Sequence, residues 1–112
     1  MESSSAESKP DPGVLEDIVR RVVRVAAPQK IILFGSAARG QMGPNSDIDL
    51  LVVKSGDYHR GALTDEIYMS LFGVGVAVDV VVATPADVER YGQCPSAVLA
   101  PALHEGRLLH AA

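Results

Sequence analysis

Two short runs rich in β-branched residues, each interrupted by aspartate, constrain this chain most: DIDLLVV at 47–53 and VAVDVVVA at 76–83. Side chains branched at Cβ pack well on a pleated surface and lose freedom in a helix, so both runs read as strands. KIILFG at 30–35 reads as a third. Helical spacing fills the intervals. Val14, Leu15, Ile18, Val19, Val22, Val23 and Ala26 form a stripe that predicts a helix over 13–27. Asp11 is its N-cap, Pro12 its first helical position and Pro28 its stop. Leu63, Ile67, Leu71 and Phe72 predict a second helix within 58–72, broken by Gly73 and Gly75. Thr84-Pro85-Ala86-Asp87 predicts an N-cap and a short helix to about Tyr91. Residues 95–105 are weakly helical and kinked by Pro101, and 36–46 form a loop with one helical turn at Ser36–Arg39. Strands alternating with helices make an α/β or α+β domain.

The remaining features set limits on function. Residues 1–12 are polar and rich in Ser and Pro, which predicts a disordered tail followed by one domain over 13–112. Fifteen valines among 112 residues supply a small core for that domain. The net charge is −4, with 10 basic against 14 acidic residues, and there is no Trp. Neither a phosphate-neutralising field nor a base-stacking platform is present, so no direct nucleic-acid partner is expected. Cys94 stands alone, which excludes an internal disulfide. The longest apolar block, Val74–Ala83, is too short for a bilayer, and no signal-peptide pattern opens the chain. A soluble, cytoplasmic protein away from membranes is expected. On the first helix, Glu16–Arg20 and Asp17–Arg21 are pairs at i,i+4, so Arg20, Arg21 and Arg24 read as a solvated face. His59, His104 and His110 lack metal-ligand spacing, and Cys94 lacks a base near it in sequence. Tyr58, Tyr68 and Tyr91 read as packing or surface groups, any exposed one being open to self-modification.

Chemistry concentrates on the carboxylates. Asp47 and Asp49 are two apart on a strand, so both point to one face while Ile48 and Leu50 point into the other layer. Adjacent carboxylates repel unless a cation lies between them, and oxygen donors of this kind suit Mg²⁺ or Mn²⁺. Asp79 sits among apolar neighbours only, so burial is expected, at a cost of several kcal/mol that something must offset. If its strand lies beside that of Asp47, it becomes a third ligand, and three carboxylates on neighbouring strands suit two-metal phosphoryl transfer. Gly35-Ser36 follows the first strand directly. Gly lets backbone approach a ligand, Ser36 offers a hydroxyl and an N–H to phosphate, and Arg39 follows one turn later. Two better-known phosphate loops fail. Gln41 stands where a Walker loop needs Lys, and Gly73 and Gly75 precede a strand instead of following one.

Gly35-Ser36, ten intervening residues, Asp47-Ile48-Asp49 and then Asp79 on a later strand together resemble the DNA polymerase β-like nucleotidyltransferase superfamily. The minimal, single-domain branch is the most similar part of it. LFGSAARGQMGPNSDIDLLVV at 33–53 resembles that branch almost continuously, and VDVVV at 78–82 and HEGRLLH at 104–110 resemble its later strand and C-terminal end. The resemblance implies a small mixed β-sheet with helices packed on it. It implies that Asp47 and Asp49 hold two metal ions and that Asp79 holds the one that activates an acceptor hydroxyl. Gly35 and Ser36 would fix the β- and γ-phosphates, with Arg39 assisting and Ser46 orienting the loop before Asp47. The implied reaction moves a nucleoside monophosphate, AMP from ATP, to a hydroxyl. In the minimal branch that hydroxyl is a tyrosine of a partner HEPN-domain toxin, the modifying chain being the antitoxin and the pair a hetero-oligomer. Two other readings stay open: an antitoxin that neutralises by binding alone, and a small-molecule nucleotidyltransferase. Such small-molecule enzymes usually carry a second domain for which 112 residues leave no space.

Overall fold

The first helix forms where its cap and stripe coincide. A computed structural model of the chain describes residues 11–35, 47–91 and 106–112. In it α1 spans Pro12–Ala26, with the Asp11 carboxylate accepting from the Gly13 N–H at 2.8 Å. Ala27 closes the helix in the left-handed region at φ 45°, its N–H donating to the Val23 carbonyl. The Lys54 ammonium donates to the Ala26 carbonyl at 2.6 Å, supplying a cation at the negative end of the helix dipole. Asp17 accepts from Arg21 as the spacing predicts, and from Arg20 as well.

The other elements follow in order: β1 Lys30–Phe34, β2 Ile48–Val53, α2 Arg60–Ser70, β3 Val78–Ala83, α3 Pro85–Tyr91 and β4 Arg107–Ala111. The sheet order is β3-β2-β1-β4. β1 runs antiparallel to both β2 and β4, whereas β2 and β3 are parallel and joined through α2. The mixed sheet with helices packed on it is the expected architecture. β4 is an addition, because nothing in RLLHA separates an edge strand from a helix end, and Pro101 directs attention to a kinked helix. The helix predicted over 95–105 and the turn at Ser36–Arg39 lie outside the described residues.

Local chemistry places the two later helices. The His59 Nδ1 accepts from the Ala62 N–H at 3.0 Å and caps α2, which gives that histidine a structural role. Thr84 and Asp87 cap α3 reciprocally: the Asp87 N–H donates to Thr84 Oγ1 and the Thr84 N–H to Asp87 Oδ2, each at 3.1 Å. Arg60 reaches the same Asp87 oxygen at 2.7 Å and ties α2 to α3.

Alternation along the strands divides the core in two. Ile31, Leu33, Ile48, Leu50, Val52, Val80 and Val82 face α1 and α2 and pack with Leu15, Ile18, Val22, Leu63 and Ile67. On the opposite face Leu51, Val53 and Ala83 form a smaller cluster with Ile32, Phe34, Val81 and Val88. The first face is the larger apolar store. Along β2 and β3 the second carries apolar residues only part of the way, and what continues it is acidic.

Candidate functional site

The site grows from strand register. The Ile48 N–H donates to the Ala77 carbonyl at 2.9 Å, which fastens the start of β2 to the start of β3. From there the parallel pairing sets Asp49 opposite Asp79, and the antiparallel pairing sets Phe34 opposite Asp49. Residues in register in neighbouring strands share a face, so Asp49 and Asp79 project together on the side away from α1 and α2. Asp47 lies one residue before β2 begins, so it approaches the pair from the loop and not, as expected, from within the strand.

Gly35 completes the arrangement from the other side. It follows β1 at φ 74°, a left-handed conformation that side chains rarely adopt. A Cβ added there would collide with the Asp49 carboxylate. Gly35 therefore makes room for an acid of the site, a task separate from the phosphate contact expected of it. Of the other expected phosphate contacts, Ser36, Arg39 and Ser46 lie outside the described residues.

Asp79 corrects one expectation. Its side chain is exposed, because β3 is the outer strand of the sheet and Asp79 is only its second residue. Apolar neighbours in sequence do not bury a side chain at the start of an outer strand. Charge is the stronger constraint. Loss of part of the water shell raises the Asp79 carboxyl above the ordinary carboxylate range, and the Asp47 charge and a hydrogen bond with Asp47 raise it further. Asp49, half-buried, is pushed up first by burial and then by the charges of Asp79 and Asp47. Among the described residues no Lys or Arg bonds to any of the three. Nor do three described His, Cys, Asp or Glu side chains converge tightly enough to hold a metal ion. Carboxylates with no cation between them relax apart or share a proton. The donor set, oxygen only and net negative, fits a hard divalent cation.

Tyr68, read from the sequence as a packing or surface group, has a specific place. Its hydroxyl accepts from the Val80 N–H at 2.8 Å, so it covers the outer edge of β3 beside Asp79. Only the pairing of strands reveals that position. No described helix is long and apolar enough to cross a membrane.

Comparison with known proteins places this geometry. Over 88% of the chain, the fold matches the crystal structure of a protein from Sulfolobus solfataricus assigned as a nucleotidyltransferase, with a TM-score of 0.62, 22% identity and 78% of that chain covered. A toxin–antitoxin structure with AMP-PNP matches over 88% of this chain and 73% of its own, at a TM-score of 0.54 and 24% identity. A mutant of the toxin–antitoxin pair MntA–HpeT, with two aspartates changed to glutamate, matches over 88% and 73%, at 0.53 and 22%. At these identities the likeness is one of fold. No curated protein matches the chain significantly in sequence. The sequence model of the nucleotidyltransferase domain, however, matches residues 14–103, which include all three aspartates, both glycine-loop positions and the strands that carry them. The chain belongs to the nucleotidyltransferase domain family.

Proposed function

We propose that this nucleotidyltransferase moves a nucleoside monophosphate, AMP from ATP, onto a tyrosine hydroxyl of a partner HEPN-domain toxin, and so acts as an antitoxin in the cytoplasm. The observation that carries the reading is the register that sets Asp49 beside Asp79, with the charge of Asp47 close enough to raise the Asp79 carboxyl. Three uncompensated carboxylates side by side destabilise the free chain, and a cation-bound triphosphate offsets that. A pure binder has no use for the cluster. Asp79 is exposed, so repulsion among the acids, not burial, makes the free site costly.

Asp47, Asp49 and Asp79 would hold the divalent cations, Mg²⁺ or Mn²⁺. Bound there, the cations would neutralise charge on the triphosphate and lower the pKa of the acceptor hydroxyl. The rest falls to the chain itself. The backbone at Gly35 and the Ser36 hydroxyl would fix the β- and γ-phosphates, Arg39 would add a positive charge, and Ser46 would position the approach to Asp47. The acceptor oxygen forms a bond to the α-phosphorus while the bond to pyrophosphate breaks. The acceptor proton passes to the Asp79 carboxylate. Pyrophosphate leaves, and Asp79 returns the proton to water.

The relatives lend support at the level of their descriptions. One toxin–antitoxin structure contains AMP-PNP, an ATP analogue. Another carries glutamate in place of two aspartates two positions apart, the spacing of Asp47 and Asp49. The test is intact mass of the complex purified from the native host, after incubation with Mg²⁺ and each of the four NTPs in turn. The reading expects the partner to gain one AMP on tyrosine with ATP alone. A partner left unmodified by every NTP contradicts it.

A further inference from the structure

The end of α2 is unusual for a chain this small. Met69 is 78% exposed and Phe72 is 88% exposed, with Tyr68 and Val76 partly exposed beside them. Single exposed apolar residues are ordinary, but this group is contiguous along one helix end and its turn. Its backbone is also held in place. The Arg21 guanidinium donates to the Ser70 carbonyl at 2.9 Å and to the Phe72 carbonyl at 3.0 Å. The Phe72 N–H donates to Met69 at 3.3 Å, and the Val74 N–H to Leu71 at 3.2 Å. Gly73 and Gly75, at φ 89° and 90°, complete the turn. Phe72 is thus displayed from a backbone that would lose little entropy on being gripped.

Beside it opens a hollow of about 440 Å³ lined by Asp17, Arg20, Arg21, Arg24, Val25 and Ser70. Three arginines face one aspartate there, on a chain whose net charge is −4. Arg20 and Arg21 share Asp17, and Arg24 has no partner among the described residues. The turn after Phe72 runs directly into β3, and Ala77 at its end holds Ile48. Phe72 and its turn therefore stand at the same end of the sheet as Asp47 and Asp79, on its helix-covered side.

We propose that this patch is where the acceptor protein docks: the partner receives Phe72 and Met69 in an apolar pocket and rims that pocket with carboxylates that meet Arg20 and Arg24. The inference rests on the reading above that the acceptor is a protein, and it adds the surface and the chemistry of the partner's side. An aromatic anchor beside arginines is the composition in which binding energy concentrates at protein interfaces. Carboxylates on the partner suit a positive patch on an otherwise acidic chain, which repels them elsewhere. The arginines of α1 are thus more than a solvated face: Arg21 fixes the turn, and Arg20 and Arg24 meet the partner.

The test begins from the complex purified from the native host, whose partner is identified by mass and produced separately. Calorimetric titration then compares the full chain with Phe72→Ala, with the double variant Arg20→Glu/Arg24→Glu, and with Leu108→Ala on the far edge strand as control. Each of the first two variants is expected to weaken binding about tenfold or more, and the control to bind as the unaltered chain does. Melting temperature and nucleotide binding of the free chain should stay unchanged in all of them. The proposal is overturned if no complex forms, or if both patch variants bind like the unaltered chain. It is overturned equally if the arginine variants lose affinity for a homopolymeric RNA and keep it for the protein. A complex that depends on Phe72 yet transfers no nucleotide upholds the surface and overturns the transfer reading instead.

Discussion

Ile48, Leu50 and Val52 alternate along β2 with Asp49, Leu51 and Val53, so one strand serves two surroundings. The first set is sealed beneath α1 and α2, each residue 1% exposed or less. The second begins with a half-buried acid and turns apolar only two residues later. β3 repeats the division, with Val80 and Val82 beneath the helices and Asp79 on the other side. At the start of β2 and of β3, one residue of displacement separates a position that holds the fold from one that acts. The carboxylates stand where the second face gives way to solvent, ahead of the buried Leu51, Val53 and Ala83, so their mutual repulsion is set against two packed clusters.

Substitutions on the two faces should therefore fail in different ways. Leu50→Ala, on the sealed face, should cost about 3 to 5 kcal/mol, since a fully buried leucine leaves a cavity that close-packed neighbours fill only in part. Urea unfolding monitored by circular dichroism will show it, and a cost below about 1 kcal/mol would break the division. Asp49→Asn should do the reverse. Transfer should fall by about a hundredfold or more, equivalent to about 2.7 kcal/mol of barrier, while the melting temperature of the free chain holds or rises as repulsion is relieved. A rate assay and a melt on the same preparation test both halves.

Gly35→Ala sharpens the boundary between the faces. A side chain at φ 74° costs about 1 to 2 kcal/mol, and its Cβ also displaces the Asp49 carboxylate. Stability and transfer should thus fall together here, unlike at either pure position. The smallest effect is expected away from both regions. Asp87→Ala removes a reciprocal cap from α3 and should cost about 1 kcal/mol at neutral pH. The Asp87 carboxyl is held below the ordinary carboxylate range, first by the Thr84 N–H and also by the charge of Arg60. A lowered carboxyl stabilises the fold fully above its ordinary value and loses that contribution as pH falls through the lowered one. The difference in melting temperature between Asp87→Ala and the unaltered chain should therefore shrink on acidification below pH about 4.

Elements governed by local chemistry were legible in the sequence. The Asp11 cap with Pro12, the Thr84–Asp87 cap and the break at Gly73 and Gly75 each depend on residues within a few positions of one another. The strand character of 48–53 and 78–83 followed from β-branching. What required three dimensions was pairing. Nothing local announces that RLLHA adds a fourth strand, because its partner is β1, more than seventy residues earlier. Exposure of Asp79 is hidden for the same reason: apolar neighbours in sequence lie on both faces of a strand, and it takes the sheet order to show that β3 is an outer strand among the described residues. The steric bond between Gly35 and Asp49, the cover that Tyr68 gives to Val80 and the displayed Phe72 likewise arise from contacts between elements. Phe72 fell on the helical stripe of α2, yet the helix ends at Ser70 and the turn swings it outward.

The central claim, that the open face holds a cation-bound nucleotide on Asp47, Asp49 and Asp79, is tested most directly by thermal unfolding of the free chain and of Asp49→Asn. Each is measured alone, with Mg²⁺, and with Mg²⁺ plus a non-hydrolysable ATP analogue. A ligand that binds only the folded state raises the melting temperature. The unaltered chain should rise in the presence of cation and nucleotide together, and Asp49→Asn should not. Equal shifts in the two proteins, or no shift in the unaltered chain at saturating nucleotide, would contradict the claim.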